Sequence, residues 1–493
     1  MEANTFLDRE VLTDEMAPTT ERSTGRWLAL LVLCLGSLMI VLDTTIVNVA
    51  LPSIRTSLGF SETSLAWLVN AYLLTFGGFL LLGGRLGDLF GHRRLFLLGI
   101  IVFSLASLTC GLANSQVLLI GARAVQGLGG AIVSAVSLSL VMSLFTESAE
   151  RAKAMGLFGF VAAGGGSVGV LLGGVLTSAL NWHWIFLVNL PIGVAVCVLS
   201  LVLLPASRGP ASAIRLDVAG ALTVTASLML AVFAIVNGNQ IGWLSAQTIS
   251  LLSIAVVLLA VFLGIEARVS TPLVPLSLFR LRNVVTANVV AVLWAAGMFA
   301  WFFVSALYLQ LVLGYSSLQV GLAFLPTCLI MGAFSLGLSA RVVIRFGIKL
   351  PLVTGLALAT VGLALLAWAP INGNFVIDVL PSMILFGLGA GMAFNPMFLA
   401  AMSDVAPTES GLASGVVNTS FLMGGAVGLA VLASLAAART DSLVAAGSSH
   451  LVALNGGYHV AFFVGAIFAA LGAVLGGSLL RVTSAAAADK GES

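Results

Sequence analysis

Long apolar runs separated by short polar connections extend along almost the whole chain. A helix needs about 20 apolar residues to cross a hydrocarbon core about 30 Å thick, and a window of about 19 residues finds fourteen such runs. The runs cover residues 27–49, 64–83, 95–113, 116–141, 153–178, 184–204, 216–236, 248–265, 284–313, 318–340, 351–369, 376–402, 411–437 and 459–480. The pattern predicts an all-α integral membrane protein with fourteen transmembrane helices. The runs at 284–313 and 376–402 are long, and we expect them to tilt or to extend beyond the bilayer.

Composition excludes a soluble protein of this size. Of the 493 residues, 60% are hydrophobic and only 8% are charged, which is too little polar surface to cover a water-soluble domain. The lipid bilayer is therefore a predicted partner. The net charge of +2 gives no reason to expect nucleic acid. The four cysteines fall in four different apolar runs without metal-ligand spacing, so no metal and no cofactor are predicted.

The distribution of positive charge predicts the orientation. If the N-terminus is cytoplasmic, 18 of the 21 Lys and Arg residues lie on the cytoplasmic side, and only Arg55, Arg123 and Arg439 do not. Residues 1–26 are polar with six acidic side chains, and we expect them to form a disordered cytoplasmic tail. A second cytoplasmic tail is expected at 482–493.

A weak internal repeat divides the chain. Residues 27–204 and 283–481 each hold six runs, and residues 205–282 hold two more with their linkers. The loop at 84–94 (GRLGDLFGHRR) and the loop at 337–349 (GLSARVVIRFGIK) occur at the same point of their blocks and both place charges between glycines. Two six-helix halves around a central cavity are an architecture typical of transporters.

Two charged side chains lie deep inside apolar runs, Asp43 in the first and Arg123 in the fourth. A charged residue at the centre of a membrane helix costs roughly 2.5–3.5 kcal/mol on insertion scales, so such residues are functional candidates. Apolar surroundings favour the neutral form of a carboxyl group, and contact with water favours the charged form. Asp43 could therefore bind and release a proton during transport. The alternative is an aspartate that only hydrogen-bonds neighbouring helices.

Several motifs together resemble the major facilitator superfamily, specifically its fourteen-span drug:proton antiporter branch. They are residues 42–52 (LDTTIVNVALP), 84–94, 123–130 (RAVQGLGG), the glycines of 156–174, 182–193 (WHWIFLVNLPIG), 308–326 and 411–428. The resemblance covers 27–481 and implies the major facilitator fold. It also implies that Asp43 binds and releases a proton during transport and that Arg123 takes part in proton coupling. A guanidinium does not give up its proton, so Arg123 would act electrostatically. Alternatively, Arg123 is a structural residue bonded to backbone carbonyls.

Glycines in the fifth run resemble the motif that marks exporters in this superfamily. They are Gly156, Gly165, Gly169, Gly173 and Gly174. Rows of glycine allow helices to approach closely and to bend, and such a seam could seal the outer leak path while the carrier faces inward. Where the family has proline after Gly169, this chain has Val170, so a kink is less expected. The same glycines are also compatible with simple helix packing.

The loop motifs resemble the gating signature of the superfamily. The residues assigned to gating are Gly84, Asp88, Gly91, Arg93, Arg341 and Arg345. Asp88 would accept from a helix N-terminus or pair with an arginine. Leu89 and His92 stand where basic residues are common in the family, which favours a weaker latch. The alternative is an ordinary positively charged cytoplasmic loop.

A substrate cavity is predicted between the two halves. Its candidate lining residues are Asn48, Gln126, Trp294, Trp301, Tyr308 and Gln310. The spacing i, i+7, i+14 places Trp294, Trp301 and Tyr308 on one helical stripe that could stack on flat organic molecules; the alternative is a lipid-facing or core stripe. The tenth and thirteenth runs hold no Asp or Glu, whereas relatives that export dications tend to carry one, so neutral, weakly charged or anionic substrates are expected.

These observations predict a proton-coupled antiporter that exports hydrophobic small molecules, drugs or antibiotics, from the cytoplasm. It would reside in a bacterial cell membrane with both termini cytoplasmic and function as a monomer, with the small molecule and protons as its partners. An exporter of a lipid, siderophore or other metabolite would share every motif, and a facilitator or importer on the same fold is a further alternative. An enzyme is not expected, because the sequence has no nucleophile constellation and no nucleotide-binding loop.

Overall fold

The computed structural model describes residues 19–145, 147–205, 217–270, 272–334, 338–405 and 410–481. The expected tail at 482–493 and residues 1–18 of the expected tail at 1–26 lie outside this range. Residues 19–26 already belong to the first helix, which begins at Thr19.

The described chain is built from long helices joined by short connections. In chain order they are α1 (Thr19–Leu58), α2 (Trp67–Phe90), α3 (His92–Gly111), α4 (Gln116–Leu144), α5 (Ser148–Ala179), α6 (Asn189–Leu203), α7 (Val218–Ile241), α8 (Ala246–Glu266), α9 (Arg282–Leu307), α10 (Ser317–Ala333), α11 (Lys349–Leu366), α12 (Leu380–Met402), α13 (Ser410–Ala445) and α14 (His450–Leu479). Short helical turns occupy Glu62–Leu65, Trp184–Leu187, Leu276–Arg280, Tyr308–Val312, Ser339–Phe346 and Phe375–Val379.

Among the described residues, twelve helices are long and apolar enough to cross a membrane. Two shorter apolar stretches, Gly165–Ala179 and Ser317–Ala333, stand at the predicted fifth and tenth spans. The prediction of an all-helical membrane protein is therefore confirmed at the level of twelve candidate spans. Each predicted run overlaps one long helix, with ends that differ by several residues.

Helices α1–α6 pack against one another, and so do α9–α14. The two groups meet mainly where α5 packs on α10 and α2 packs on α13. The intervening helices α7 and α8 pack on each other, and α7 also contacts both α2 and α13. The extra pair thus lies beside the interface between the two groups.

Local sequence explains how the helices begin and turn. Serine side chains accept from backbone N–H groups at the starts of α4, α8, α10 and α14, which satisfies donors that a helix leaves free. The turn between α2 and α3 is made by Gly91 at φ +89°, and the turn before α11 by Gly347 at φ +75°. Both conformations favour glycine, and they fall at corresponding points of the repeat seen in the loop sequences.

Candidate functional site

The two charged residues singled out within the apolar runs contact each other. Asp43 lies in the middle of α1 and Arg123 in the first half of α4, and Arg123 Nη1 is 2.5 Å from Asp43 Oδ2. The Asp43 side chain is 0% exposed and that of Arg123 is 1% exposed. An isolated charge at this depth is costly, and the contact gives each of these two side chains a partner of opposite type.

Two amides complete the surroundings of the carboxylate. Gln126 Nε2 donates to Asp43 Oδ1 over 2.8 Å, and Asn189 Nδ2 donates to the same oxygen over 3.1 Å. Gln126 Oε1 in turn accepts from Arg123 Nη1 over 2.7 Å. Asp43 therefore accepts three N–H donors from α4 and α6.

Ser107 in α3 connects the two amides. Its hydroxyl accepts from Gln126 Nε2 (3.1 Å) and from Asn189 Nδ2 (2.9 Å) and donates to the Phe186 carbonyl (2.9 Å). The side chains of Ser107, Gln126 and Asn189 are all 0% exposed. The network is thus sealed within α1, α3, α4 and α6 and the turn before α6.

Helix α2 holds the other side of the guanidinium. Arg123 Nε donates to the Leu68 carbonyl over 2.9 Å, and the Arg123 Cζ atom lies 4.4 Å from the centre of the Tyr72 ring. A carbonyl and an aromatic face both stabilise a cation. Arg123 therefore keeps favourable contacts with α2 that do not depend on Asp43.

Asn189 and Ser107 are members of this network that the sequence does not predict. Gln126 is predicted to line the substrate cavity, but its amide lies in the ion-pair network. Asn189 falls within the motif 182–193, yet the motif alone indicates no role for it. Ser107 carries no signal, because a serine in an apolar helix is common. A polar amide inside an otherwise apolar run is the available clue for Asn189.

The predicted glycine series packs α5 against α1 next to the ion pair. A Cβ atom at Gly169 would lie 2.9 Å from the Leu42 carbonyl oxygen, and one at Gly173 would lie 2.8 Å from the Ile46 carbonyl oxygen. Gly165 faces Leu38 and Val41 of the same helix. These distances leave no room for a side chain, so α5 lies directly on the backbone around Asp43.

Gly174 faces the other half of the molecule. A Cβ atom there would lie 2.8 Å from the Ser317 carbonyl oxygen of α10, and one at Gly321 would lie 2.9 Å from the Val170 carbonyl oxygen. The Leu318 N–H also donates to Ser178 Oγ over 3.1 Å. We call this contact of α5 with α10, formed by Val170, Gly174, Ser178, Ser317 and Gly321, the glycine seam. Gly156 lies in α5, but its surroundings lie outside the described part of the structure.

The residues assigned to gating are placed as follows. Gly84 lies in the last third of α2, and Gly91 makes the turn into α3. The Arg93 guanidinium donates to the Leu201 carbonyl, so it joins α3 to the end of α6 within one group of helices. The side chain of Asp88 lies outside the described residues. Arg341 and Arg345 are exposed in the short helix Ser339–Phe346.

The aromatic stripe lies in the interior of the second group of helices. Trp301 stacks on Phe386 of α12 with ring centres 4.0 Å apart, and Trp294 lies 5.5 Å from the same ring. Both tryptophans are 0% exposed, and their indole N–H groups meet no hydrogen-bond partner among the described residues. The Tyr308 hydroxyl donates to the Pro370 carbonyl over 2.8 Å.

Gln310 and Asn48 lie close to the junction of the two groups. Gln310 Nε2 donates to the Val49 carbonyl of α1 over 2.8 Å, which links the turn after α9 to the first helix. Asn48 Nδ2 donates to the Thr44 carbonyl one turn earlier in α1. The assigned cavity residues are therefore not collected at one place, since Gln126 belongs to the ion pair and the tryptophans to the packing of α9 on α12.

The described residues contain no group of three His, Cys, Asp or Glu side chains that could hold a metal ion.

The sequence profile of the Major Facilitator Superfamily matches residues 33–429. The chain belongs to the major facilitator superfamily. The match covers the ion-pair network and the glycine seam, and the family predicted from the motifs is confirmed.

Curated members of the superfamily are similar over most of their length. The puromycin resistance protein pur8 of Streptomyces alboniger is 38% identical over 474 residues, which are 94% of this chain and 93% of that protein. The cephamycin export protein CmcT of Amycolatopsis lactamdurans is 37% identical over 434 residues, 87% of this chain and 89% of that protein. The lincomycin resistance protein of Streptomyces lincolnensis is 36% identical over 425 residues, 85% of this chain and 86% of that protein.

Solved structures of transporters share the fold. An auto-inhibited POT family peptide transporter has a TM-score of 0.66 at 17% identity and is matched over 93% of this chain and 98% of its own. The xylose transporter XylE of E. coli in an inward open conformation has a TM-score of 0.62 at 15% identity, with 93% and 97% covered. At these identities the likeness establishes the fold alone.

A substitution at Asn189 tests the network in this superfamily member. Asn189→Ala removes one donor from Asp43 and one from Ser107, and we expect a loss of about 1–3 kcal/mol of stability because buried polar atoms lose partners. The thermal unfolding of the purified protein in detergent measures the loss. Asn237→Ala is the matched control, since Asn237 donates to the Phe233 carbonyl of its own helix α7. Equal unfolding temperatures for both variants would contradict a cooperative network at Asp43.

Proposed function

We propose that this chain is a proton-coupled antiporter that exports hydrophobic small molecules from the cytoplasm. The observation that carries the proposal is the fully buried Asp43 side chain, which contacts Arg123. Among the described residues, no second carboxyl group is hydrogen-bonded to it. Relatives named for puromycin resistance, cephamycin export and lincomycin resistance support the direction and the class of cargo.

The proposed topology has fourteen membrane spans with both termini cytoplasmic. Its support is that α5 runs from Ser148 to Ala179, long enough at 1.5 Å per residue to cross the bilayer, and that α10 is followed within a few residues by the helix Ser339–Phe346. With these two helices counted as spans, 18 of the 21 Lys and Arg residues fall on the cytoplasmic side. The proposed location is a bacterial cell membrane, and the proposed functional unit is a monomer.

On this topology the glycine seam lies toward the outer face of the membrane. The Gln310–Val49 contact lies toward the same face. Helices α5 and α10 therefore meet at the outer end, as a carrier that presents its cargo site to the cytoplasm requires. We propose that the seam must separate when cargo is released outside.

The proposed coupling runs from the proton site to the seam through α1. A proton on Asp43 would remove the attraction to Arg123, while Arg123 retains its contacts with Leu68 and Tyr72. Helix α1 would then be free to shift relative to α4. Because Gly169 and Gly173 hold α5 directly on α1, α5 would follow, and Gly174 carries that movement to α10. Tightly packed helices transmit displacement rather than absorb it.

The proposed cargo is neutral, weakly charged or anionic. The support is the lack of Asp and Glu in residues 318–340 and 411–437. One proton that moves down about 150 mV releases roughly 3.5 kcal/mol. This corresponds to about 2.6 decades of concentration for an uncharged cargo, so a single titrating carboxyl group is sufficient.

Transport in vesicles tests the proposal directly. Purified protein is reconstituted, and uptake of puromycin, lincomycin and a neutral hydrophobic dye is followed after an imposed pH step and, separately, an imposed voltage. We expect accumulation in the compartment from which protons leave, and its loss when an ionophore removes both gradients. Flux that is the same with and without the two gradients would contradict proton coupling. The protein would then be a facilitator.

A further inference from the structure

An apolar cavity of about 170 Å³ lies outside the ion-pair network and away from the aromatic stripe. Its walls come from α2, α7, α8 and α13 and from the segment 273–279 before α9. Side chains that line it include Leu81, Val224, Phe262, Val416 and Met423. An apolar cavity of similar volume in another protein stays dry and binds benzene, so this one is large enough for an aromatic ring.

The cavity is a defined site rather than a gap in loose packing. A Cβ atom at Gly78 of α2 would lie only 3.1 Å from Thr225 Cβ of α7, so the two helices pack closely beside the cavity. On the opposite side, the Val274 N–H donates to the buried Glu266 carboxylate over 3.1 Å, which fixes the segment that closes the cavity. The walls are therefore held by helix packing and by a hydrogen bond to a buried carboxyl group.

One polar atom in the lining lacks a partner. Thr419 Oγ1 is buried and meets no hydrogen-bond acceptor or donor in the described part of the chain. Its neighbour Ser420, by contrast, donates to Asn288 Oδ1 over 2.7 Å. A buried hydroxyl without a partner is unfavourable, and a ligand with a hydrogen-bond acceptor would satisfy it.

The cavity opens toward the bilayer. Leu263 and Phe279 contribute to its lining, and they are also 45% and 37% exposed on the outer surface of the helix bundle. On the proposed topology it lies in the cytoplasmic half of the membrane, because Val224 is near the start of α7 and Phe262 near the end of α8. It also adjoins the α2–α13 contact, where the two groups of helices meet.

We infer that this cavity binds a neutral hydrophobic molecule with a hydrogen-bond acceptor, taken up from the cytoplasmic leaflet before it reaches the path between the two halves. The inference rests on the proposed export function for the identity of the occupant. Thr419 donates to the acceptor, the apolar walls hold the ring, and the side between Leu263 and Phe279 admits the molecule. A lipid acyl chain shares the apolar chemistry but offers no acceptor at the depth of Thr419.

Photolabelling with benzophenone tests the site without any gradient. Benzophenone is a neutral aromatic ketone, its carbonyl accepts a hydrogen bond, and on irradiation the same carbonyl inserts into nearby C–H bonds. The full chain is labelled in phosphatidylethanolamine–phosphatidylglycerol vesicles and the adducts are mapped by mass spectrometry. We expect saturable adducts, assigned to single residues by fragmentation, on Phe262 and Met423 in excess over lipid-exposed positions such as Val257.

Three variants sharpen the measurement. Val224→Phe fills the cavity and should lower these adducts at least fivefold, while Leu222→Phe on the exposed face of the same helix should leave them unchanged. Thr419→Val keeps the shape and removes the hydroxyl, and it should lower them about two- to tenfold. Adducts that spread evenly over lipid-facing residues, or that survive Val224→Phe in a protein that elutes as one symmetrical peak, would overturn the inference.

Competition separates the sources of the ligand. If excess puromycin or lincomycin reduces the adducts, the cavity is a cargo site. If only oleic acid reduces them, the cavity holds a lipid chain and the inference is overturned. Labelling of Asp43→Asn protein distinguishes the two proposals. Unchanged adducts with abolished export leave the cavity intact as a binding site, and export without saturable adducts rejects the cavity while the transport proposal stands.

Discussion

Asp43→Asn is expected to abolish proton-driven accumulation of cargo while leaving the helices in place. Asparagine has nearly the shape of aspartate, but its amide cannot bind and release a proton as a carboxyl group does. An uncharged cargo that reached about 2.6 decades of gradient in the parent should therefore fall to equal concentrations on both sides. The measurement is uptake into vesicles after an imposed pH step, together with resistance to puromycin and lincomycin in an efflux-deficient host.

The stability of this variant must be separated from its activity. The single substitution would leave Arg123 as an unpaired buried charge, which costs about 3–5 kcal/mol in comparable buried pairs. The double variant Asp43→Asn, Arg123→Gln removes that charge and should recover most of the unfolding temperature without recovering export. Asp441→Asn, an exposed position in α13, is the matched control and should behave as the parent. Full pH-driven accumulation in the single variant would refute the role of Asp43.

Gly174→Ala is expected to open the glycine seam. The added Cβ would lie 2.8 Å from the Ser317 carbonyl oxygen and 3.0 Å from Leu318 Cα, both backbone atoms that cannot rotate away. Overpacking of this kind costs about 1–3 kcal/mol, which corresponds to a shift of roughly 5- to 150-fold in the balance between closed and open seam. Export should fall by a similar factor, because the carrier would return to its cytoplasm-facing state less often.

Distances between spin labels test whether Gly174→Ala shifts the balance from the closed to the open glycine seam. Labels at the exposed positions Val175 on α5 and Leu322 on α10 should move apart in Gly174→Ala. Gly166→Ala is the control on the same helix, since its Cβ would meet only Thr45 Cγ2 at an ordinary 3.7 Å. An unchanged distance distribution together with lost export would show that Gly174 acts by some means other than closure of the outer end.

The apolar runs of the sequence are sufficient to predict the helices but not the arrangement of the site. Each predicted run overlaps a long helix because membrane spans need continuous apolar sequence, and the corresponding glycine turns at Gly91 and Gly347 are visible as a repeat. The contact between Asp43 and Arg123 is not visible, because it joins residues 80 positions apart. Asn189 is 146 positions from Asp43, and no pattern along the chain records how α6 is rotated toward α1.

The two faces of α5 likewise follow from three-dimensional packing. The spacing of Gly165, Gly169 and Gly173 predicts close packing but not the partner, which is α1. Gly174 is the immediate neighbour of Gly173 in the chain, yet it meets α10 in the other half. One residue of offset turns the chain by about 100° around a helix, so adjacent glycines serve different interfaces.

The ion-pair network lies wholly within α1–α6 and the connections between them. The tryptophans belong to α9 and pack on α12. Free-energy changes at such distant, non-touching positions add nearly independently. On the proposed function, substitutions around the stacked tryptophans would therefore change the packing of the later helices while the contacts of Asp43 stay as they are.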